Sequence, residues 1–545
     1  MSRNSKPSSI GRPLLFPYFL LVGALYYWLV PNLNPSYGAG VLTWFITLAG
    51  LYLASSPIEM GNRTARRASA TVPPLAVVFL AFAAFSLTMA LFSHPMFHSS
   101  AYFELLGEEK TAEFSAALPP LDLTQAPLVS DDMAQRAAEK KLSEVPALGS
   151  QVELGHMTKQ LVRGKLYWVA FLHHRGFFKW WSEGSTPGYV MVSAHDSADV
   201  SLVTELNGKP LKMKYLSSAY FGQNLYRHLW FGGYAFTGLT DFTPEIDEEG
   251  RPFYVATRYT DKIGFGGSDA TGVVVIDVQT GETTDYPTSS VPAWVDRVQP
   301  EDFIHEQVDN RLNYVHGWWN PSDKDKQAVS GDIDLVYGND GKAYYFVGIT
   351  SVAKEGGLTS FMLIDTHSKM VTRFTLPGVT EFVAQRAAEG VMPEKRYSAT
   401  NALPFMVHGE PSYVMALRDG TGLARAYAVV NMRSFNIVAT GETLQAAIRL
   451  YQQKLSMDRT QTEAQTPVQA TTEELVVRRI ASEVRSGSTV YFLTAKDKPN
   501  LVLMGNSELS EKLVLTQPGD SIVVEYKRGN TLIAPMTRFE NKSIE

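Results

Sequence analysis

The segment His305-Glu306-Gln307-Val308-Asp309 is the nearest approach to a metalloenzyme motif in the chain. In zinc proteases, two histidines four residues apart on a helix hold the metal, and a glutamate between them activates water. Here an aspartate occupies the second ligand position, and the zinc-protease pattern does not use aspartate there. We interpret the segment as an amphipathic helix with Ile304 and Val308 facing inward and the charged side chains in solvent. It predicts no metal site.

His94 and His98 are also four residues apart, and Pro95 between them could open a helix at its first position. Two ligands fall short of a metal site, and no third is visible nearby. The sequence has no Gly-x-Ser-x-Gly elbow, no Walker sequence and no cysteine, which removes three common signals of catalysis. We therefore expect no bound cofactor and name no catalytic, cofactor-binding or metal-binding residue.

Two aromatic clusters stand out instead, Phe177-Phe178-Lys179-Trp180-Trp181 and Trp318-Trp319-Asn320-Pro321. They could pack in the core and between repeats. They could also form a contact surface for a protein partner, a glycan or the outer leaflet. Trp and Tyr favour interfaces because part of the side chain is apolar and its polar group can stay in contact with water. The candidate partner surface consists of Trp180, Trp181, Trp318 and Trp319.

Four segments share a pattern in which a strand-like run breaks at a glycine and resumes with an aromatic residue. Each predicts a hairpin, because glycine adopts the positive φ of such turns at no steric cost. An apolar third strand follows each hairpin, and a helix-like segment precedes each, so we predict an α+β body over residues 130–455 with about four helix-plus-antiparallel-strand repeats. The hairpins lie at 162–169, 245–255, 336–347 and 406–414, the third strands at 188–196, 272–281, 360–368 and 426–432, and the helices at 131–142, 217–229, 300–312 and 380–389.

The second repeat resembles the PepSY domain of bacterial envelope proteins. The similarity rests on Phe253-Tyr254-Val255 followed by the run 275–282, which reads Val-Ile-Asp-Val-Gln-Thr-Gly-Glu. The third and fourth repeats depart from it, with Ser368-Lys369 and Ser434-Phe435 in place of the Thr-Gly turn. The resemblance implies an extracytoplasmic α+β module that binds or regulates, and it carries over no catalytic residue.

Three apolar segments open the chain, at 13–30, 39–54 and 72–92. A bilayer core of about 30 Å needs about 20 apolar helical residues, so we predict three transmembrane helices in an anchor over residues 1–92. Three crossings from the cytoplasm end outside, so we expect an inner or cytoplasmic membrane protein whose large body is periplasmic or extracellular. The basic residues that place the N-terminus and the second loop in the cytoplasm are Arg3, Lys6, Arg12, Arg63, Arg66 and Arg67.

The rest of the chain divides into a connector at 93–129, a polar linker at 456–472 and a small domain at 473–545. The small domain shows five short strand-like runs, at 476–484, 489–494, 501–504, 521–526 and 531–539. Five strands in so short a segment predict an OB- or SH3-like barrel. A fifth helix, at 443–455, precedes the linker.

These features favour a non-enzymatic cell-envelope protein that binds or scaffolds partners through its repeat body. One alternative is a subunit of a secretion or conjugation-type complex. Another is an envelope hydrolase with dispersed residues, which would show as titratable groups with perturbed pKa values in one cleft. We expect membrane lipid and an envelope protein as partners, with a homo-oligomer as a further possibility. The net charge of −6 argues against a general nucleic-acid surface.

Overall fold

Strands outnumber helices in the computed structural model, and the chain divides into two compact units, Met1–Ile448 and Arg449–Glu545. The structure describes residues 15–55, 74–112, 126–145, 148–338, 340–352, 357–465, 470–485, 488–499, 501–506, 509–527 and 533–544.

The first unit opens with four helices and a short strand. The prediction of three membrane-spanning helices is wrong, because no single helix among the described residues is both long and apolar enough to cross a bilayer. The first three helices have 15, 18 and 19 residues, which at 1.5 Å each gives lengths below the bilayer core of about 30 Å. The helices Ala76–Phe92 and Pro95–Glu104 meet at a bend of 56°, and they reach the length and apolar composition of a membrane span only when taken together. The bounds are Leu15–Leu29 for α1, Gly38–Ser55 for α2, Pro74–Phe92 for α3, Pro95–Glu104 for α4 and Glu109–Ala112 for β1.

The connections of these helices are hydrogen-bonded to the body. The side chain of Asn32 donates to the carbonyl of Thr237 at 3.1 Å, and the hydroxyl of Tyr37 donates to the carbonyl of Tyr259 at 2.7 Å. At the far end of α3, the amide of Phe265 donates to the hydroxyl of Ser93 at 2.7 Å. The helix ends are therefore fixed by specific polar contacts.

The first sheet follows α5 and has the order β2-β4-β5-β6, with β3 also paired to β4. One face of α5 buries Met133, Ala134, Ala138 and Leu142 against this sheet, as its apolar spacing predicts. A two-stranded ribbon, β7 with β8, follows. The bounds are Asp131–Ser143 for α5, Val152–Leu154 for β2, Thr158–Val162 for β3, Lys165–His174 for β4, Phe177–Glu183 for α6, Tyr189–Ser193 for β5, Val200–Val203 for β6, Glu205–Leu206 for β7 and Lys209–Pro210 for β8.

The second sheet is a four-stranded antiparallel meander in the order β12-β11-β10-β9. Its inner face shares one apolar core with the first sheet, in which Phe171, Tyr189, Tyr254 and Ile276 are buried together. The bounds are Leu225–Phe231 for α7, Gly238–Ile246 for β9, Pro252–Ile263 for β10, Gly266–Asp277 for β11 and Thr283–Pro287 for β12.

The third sheet has the order β1-β16-β15-β14-β13, in which β1 is added in parallel to the edge of β16. The connector predicted at 93–129 therefore contributes a helix and a strand to the body. The bounds are Glu301–Asn313 for α8, Gln327–Tyr337 for β13, Ala343–Ser351 for β14, Gly357–Asp365 for β15 and Val371–Val379 for β16.

The fourth sheet has the order β17-β19-β20-β21, with β18 also paired to β19, and it shares a core with the third. With this sheet, all four predicted hairpins are confirmed, as β3–β4, β9–β10, β13–β14 and β18–β19. The bounds are Glu381–Glu389 for α9, Ser398–Ala399 for β17, Leu403–Val407 for β18, Glu410–Arg418 for β19, Ala424–Asn431 for β20 and Val438–Gly441 for β21.

The second unit is a closed barrel of five strands in the order β22-β23-β24-β26-β25. The long strand β22 closes it by pairing with β25 through its first half and with β23 through its second. The order, with β24 parallel to β26, resembles the OB member of the predicted pair of folds. Helix α10, Leu444–Gln465, begins at the end of the first unit and continues past Arg449. The bounds in the second unit are Ala470–Arg485 for β22, Ser488–Ala495 for β23, Val502–Asn506 for β24, Lys512–Leu515 for α11, Ser521–Lys527 for β25 and Ile533–Asn541 for β26.

The segment predicted as a linker at 456–472 differs from that expectation. Helix α10 continues to Gln465, and β22 begins at Ala470. No glycine or proline occurs between residues 456 and 466, so nothing in this polar run interrupts the helix.

Candidate functional site

Helix α6 carries the most exposed aromatic side chains of the first sheet. It lies in the connection between β4 and β5, at the end of these two paired strands. Phe178 is 82% exposed and Trp181 is 70% exposed, whereas the neighbouring Trp180 is half-buried. A seven-residue helix points its side chains in every direction, which explains why adjacent tryptophans have opposite environments.

Rings from a second segment complete this cluster. Phe177 contacts Tyr220 and Phe221 at centroid distances of 5.2 and 6.3 Å, and Trp180 contacts the same two rings. The indole nitrogen of Trp180 donates to the side chain of Gln223 at 2.8 Å. We call this set the α6 aromatic surface, and it consists of Phe177, Phe178, Trp180, Trp181, Tyr220 and Phe221.

The other predicted pair, Trp318 and Trp319, lies in the connection after α8. Trp319 is 75% exposed, and its ring lies 5.9 Å from that of Trp318. Trp318 in turn contacts the ring of His94 at 6.3 Å, next to α4. The ring contacts of the two tryptophan pairs involve different residues, so these contacts do not join the four predicted residues into one surface.

Two of the histidines considered as metal ligands, His94 and His305, have local polar partners. The Nδ1 atom of His94 accepts the amide of Met96 at the start of α4, at 3.2 Å. His305 lies 3.3 Å from Asp309 on α8, where both side chains are about half exposed. Over the described ranges, no three His, Asp or Glu side chains come together in a way that could hold a metal ion.

A cleft of about 660 Å³ runs along the exposed side of α5. Its second wall is the hairpin between β19 and β20, and its third is the connection between β5 and β6. Val129 and Met133 form a buried apolar floor, while Leu423 projects from the hairpin and is 53% exposed. The first and fourth sheets thus face each other across this cleft, which we call the α5 cleft.

Four cationic side chains and two carboxylates line the α5 cleft. Lys141 forms an ion pair with Glu144 at 3.0 Å. Arg425 forms an ion pair at 2.7 Å with Asp419, which does not line the cleft. Hydrogen bonds from Thr421 and Arg425 hold the pKa of Asp419 well below its usual range. The charged lining residues are Arg136, Lys140, Lys141, Arg425, Glu144 and Asp196.

A smaller cavity of about 250 Å³ lies at the N-terminal end of α5 and shares Leu128 and Val129 with the α5 cleft. Burial lowers the pKa of Lys159 there, although Asp334 and Asp131 oppose the shift. Burial also raises the pKa values of Asp131 and Asp334. The ammonium of Lys159 lies 5.1 Å from the centre of the Trp168 ring, a favourable cation–π arrangement.

Two buried carboxyl groups lie where the second sheet meets its neighbours. Glu245 on β9 accepts the amide of Asp296 at 3.2 Å, and burial raises the pKa of Glu245 to about 8. Asp296 accepts the amide of Leu161 at 2.7 Å and the hydroxyl of Tyr337 at 2.9 Å. These bonds join β9, β3 and β13, so this polar junction ties the first three sheets together.

No protein family, curated protein or solved structure matches this chain.

Proposed function

We propose that this chain is a non-enzymatic binding or scaffolding protein that contacts a protein partner through the α6 aromatic surface. The observation that carries the proposal is the exposure of Phe178 and Trp181, on a short helix displayed outside the sheet. Large aromatic side chains that expose most of their surface on a rigid support are typical of interaction sites.

The half-buried rings make the support rigid. Trp180 packs against the shared core of the first two sheets and is hydrogen-bonded to Gln223, so it holds α6 in place. Trp181 and Phe178 make ring contacts with Phe177 but leave most of their surface to solvent. A partner can therefore bury two aromatic side chains without reordering the helix, which keeps the entropic cost of binding low.

A protein partner fits the surroundings of the surface best. Lys179, Ser182 and Glu183 lie on the same helix as the exposed rings and provide both signs of charge next to them. An aromatic centre with a mixed polar rim is the usual composition of a protein–protein interface. A surface for anionic lipid would instead require an excess of cations around the rings.

Site-specific photo-crosslinking tests the proposal directly. A photoreactive amino acid at position 178 of the full chain, placed there in the native host, is expected to form a defined adduct with one protein. The same amino acid at position 97 serves as a control, because Phe97 is a comparably exposed aromatic residue outside the α6 aromatic surface. Adducts of equal yield and identity at both positions, or none at position 178, contradict the proposal.

The cell-envelope location, the contact with membrane lipid and the PepSY resemblance stay predictions. A partner that belongs to a secretion or conjugation-type complex would make this chain a subunit of that machine. The identity of the crosslinked protein separates this alternative from a free-standing scaffold.

A hydrolase is the second candidate function, and one observation favours it. The cavity beside Lys159 is lined by titratable groups with perturbed pKa values, as expected for a dispersed active site. Ser130 also lines this cavity, where its hydroxyl accepts a hydrogen bond of 3.4 Å from Arg418. Hydrolysis of ester or peptide substrates that is lost in Lys159→Met and kept in Trp181→Ala would favour this function over the binding role.

A further inference from the structure

The α5 cleft combines an apolar floor with a basic rim. Four cations and two carboxylates line it, which leaves a formal charge of +2 on a chain whose total is −6. Its volume of about 660 Å³ lies in the range of small-molecule sites, roughly 300–1,000 Å³. The charge of this cleft is thus opposite in sign to that of the protein as a whole.

The cations come from two walls that are far apart in sequence. Arg136 and Lys140 are on α5, one helical turn apart, and so lie on the same side of it. Arg425 lies across from them on the β19–β20 hairpin, and the guanidinium of Arg136 donates through Nη1 to the carbonyl of Thr421 on the same hairpin. This bond joins the two walls and fixes the opening between them.

Lys140 is the cation best placed to receive a ligand. Its ammonium makes no hydrogen bond or ion pair with any residue in the described part of the chain, whereas Lys141 beside it is paired with Glu144. Arg136 has further N–H groups beyond the one that binds Thr421, because a guanidinium carries five. Both can therefore bind an anion without breaking an existing contact.

We propose that the α5 cleft binds a small amphipathic anion, with its apolar part on Val129, Met133 and Leu423 and its acidic group on Lys140 and Arg136. A carboxylate and a phosphate would make the same charge-assisted hydrogen bonds, so the head group is either of these. The site is separate from the α6 aromatic surface and does not depend on it.

Isothermal titration calorimetry of the full chain tests this proposal with three probes that share a ten-carbon tail. The probes are decanoate, decyl phosphate and decyltrimethylammonium, each below its critical micelle concentration. We expect at least one of the two anions to bind with one site per chain and the cation not to bind. The tighter of the two anions identifies the head group.

Two substitutions locate the site. Lys140→Ala is expected to weaken anion binding about tenfold, as for loss of a hydrogen bond to a charged group, and it removes no intramolecular contact of the ammonium. Leu423→Ser is expected to weaken binding through the apolar tail. The matched controls Lys209→Ala, an exposed lysine on β8, and Trp181→Ala are expected to leave the affinity unchanged. Equal binding of the cationic probe, no binding of either anion, or an affinity that Lys140→Ala does not change would overturn the proposal.

Discussion

The backbone amide of Asp296 donates a hydrogen bond of 3.2 Å to the carboxyl of Glu245, although both side chains are buried. The other carboxyl oxygen of Glu245 accepts the hydroxyl of Thr243 at 3.1 Å. Burial, followed by the nearby charge of Asp296, raises the pKa of Glu245 to about 8. Burial likewise raises the pKa of Asp296 to about 6. The junction of the first three sheets is therefore most stable when Glu245 is protonated.

The first prediction concerns the pH dependence of stability. Between about pH 4.5 and 8 the folded chain holds a proton on Glu245 that the unfolded chain has lost, so unfolding releases protons and is favoured as the pH rises. We expect the free energy of unfolding to fall over this window by up to about 1.4 kcal/mol for each pH unit from this group. Urea denaturation at a series of pH values measures it.

Glu245→Gln mimics the protonated side chain and is expected to flatten this slope. The matched control is Glu153→Gln, an exposed position on β2, which should keep the wild-type slope. A wild-type slope retained in Glu245→Gln would show that another group causes the pH dependence.

The second prediction separates the two adjacent tryptophans of α6. Trp180→Ala removes a half-buried indole and its bond to Gln223, and we expect it to lower the free energy of unfolding by about 2–3 kcal/mol. Trp181→Ala removes an exposed side chain and should change stability by less than about 0.5 kcal/mol. Chemical denaturation of both variants measures the difference. Equal destabilisation would mean that Trp181 is a packing residue and not part of a free surface.

The third prediction concerns two glycines at equivalent places in the first two sheets. Gly188 and Gly272 have φ angles of +152° and +154°, and an added Cβ would overlap the carbonyl oxygen of Val203 or Tyr286 in the next strand. We expect Gly188→Ala and Gly272→Ala each to destabilise the fold by about 3 kcal/mol or more. Gly357→Ala is the control, because no atom of the described residues lies within 4 Å of its added Cβ. Thermal unfolding of the three variants checks the ranking, and a Gly357→Ala variant as unstable as the other two would contradict it.

The fourth prediction concerns the barrel of the second unit. Leu493 on β23 is fully buried in the barrel core, so Leu493→Ala should cost about 2–5 kcal/mol. All nine tryptophans precede residue 449, so hydrogen exchange of the β22–β26 amides is the suitable measurement. Val490→Ala, half-buried on the same strand, should cost clearly less. Protection that is unchanged in Leu493→Ala would contradict the core assignment.

Local sequence was sufficient for the hairpins and for helix α5. A glycine between two β-rich runs encodes a turn, and the apolar spacing from Met133 to Leu142 encodes one buried helix face, so neither depends on distant contacts. Strand β1 could not be foreseen in this way, because its pairing with Val371 and its neighbours joins segments far apart in the chain.

The candidate sites depend on tertiary contacts, and sequence spacing carries little information about them. Arg136 and Arg425 face one cleft only because the first and fourth sheets pack against each other. The exposure of Trp181 beside the half-buried Trp180 is decided by the position of α6 and by Tyr220. A weak signal existed for Glu245, since an acidic residue inside a strand next to apolar residues needs a partner when it is buried. The prediction of three transmembrane helices was wrong because it rested on apolar composition alone, and no single described helix is both long and apolar enough to cross a bilayer.

Quantitative affinity purification tests the binding role most directly. The tagged full chain, the double variant Phe178→Ala/Trp181→Ala and the control Trp319→Ala, which removes an equally exposed tryptophan elsewhere, would be purified in parallel and their bound proteins quantified by mass spectrometry. Our account predicts at least one protein in near-stoichiometric amounts with the wild type and Trp319→Ala, reduced at least about tenfold with the double variant. Equal recovery of every bound protein from all three chains, or a wild-type chain recovered alone, would contradict it.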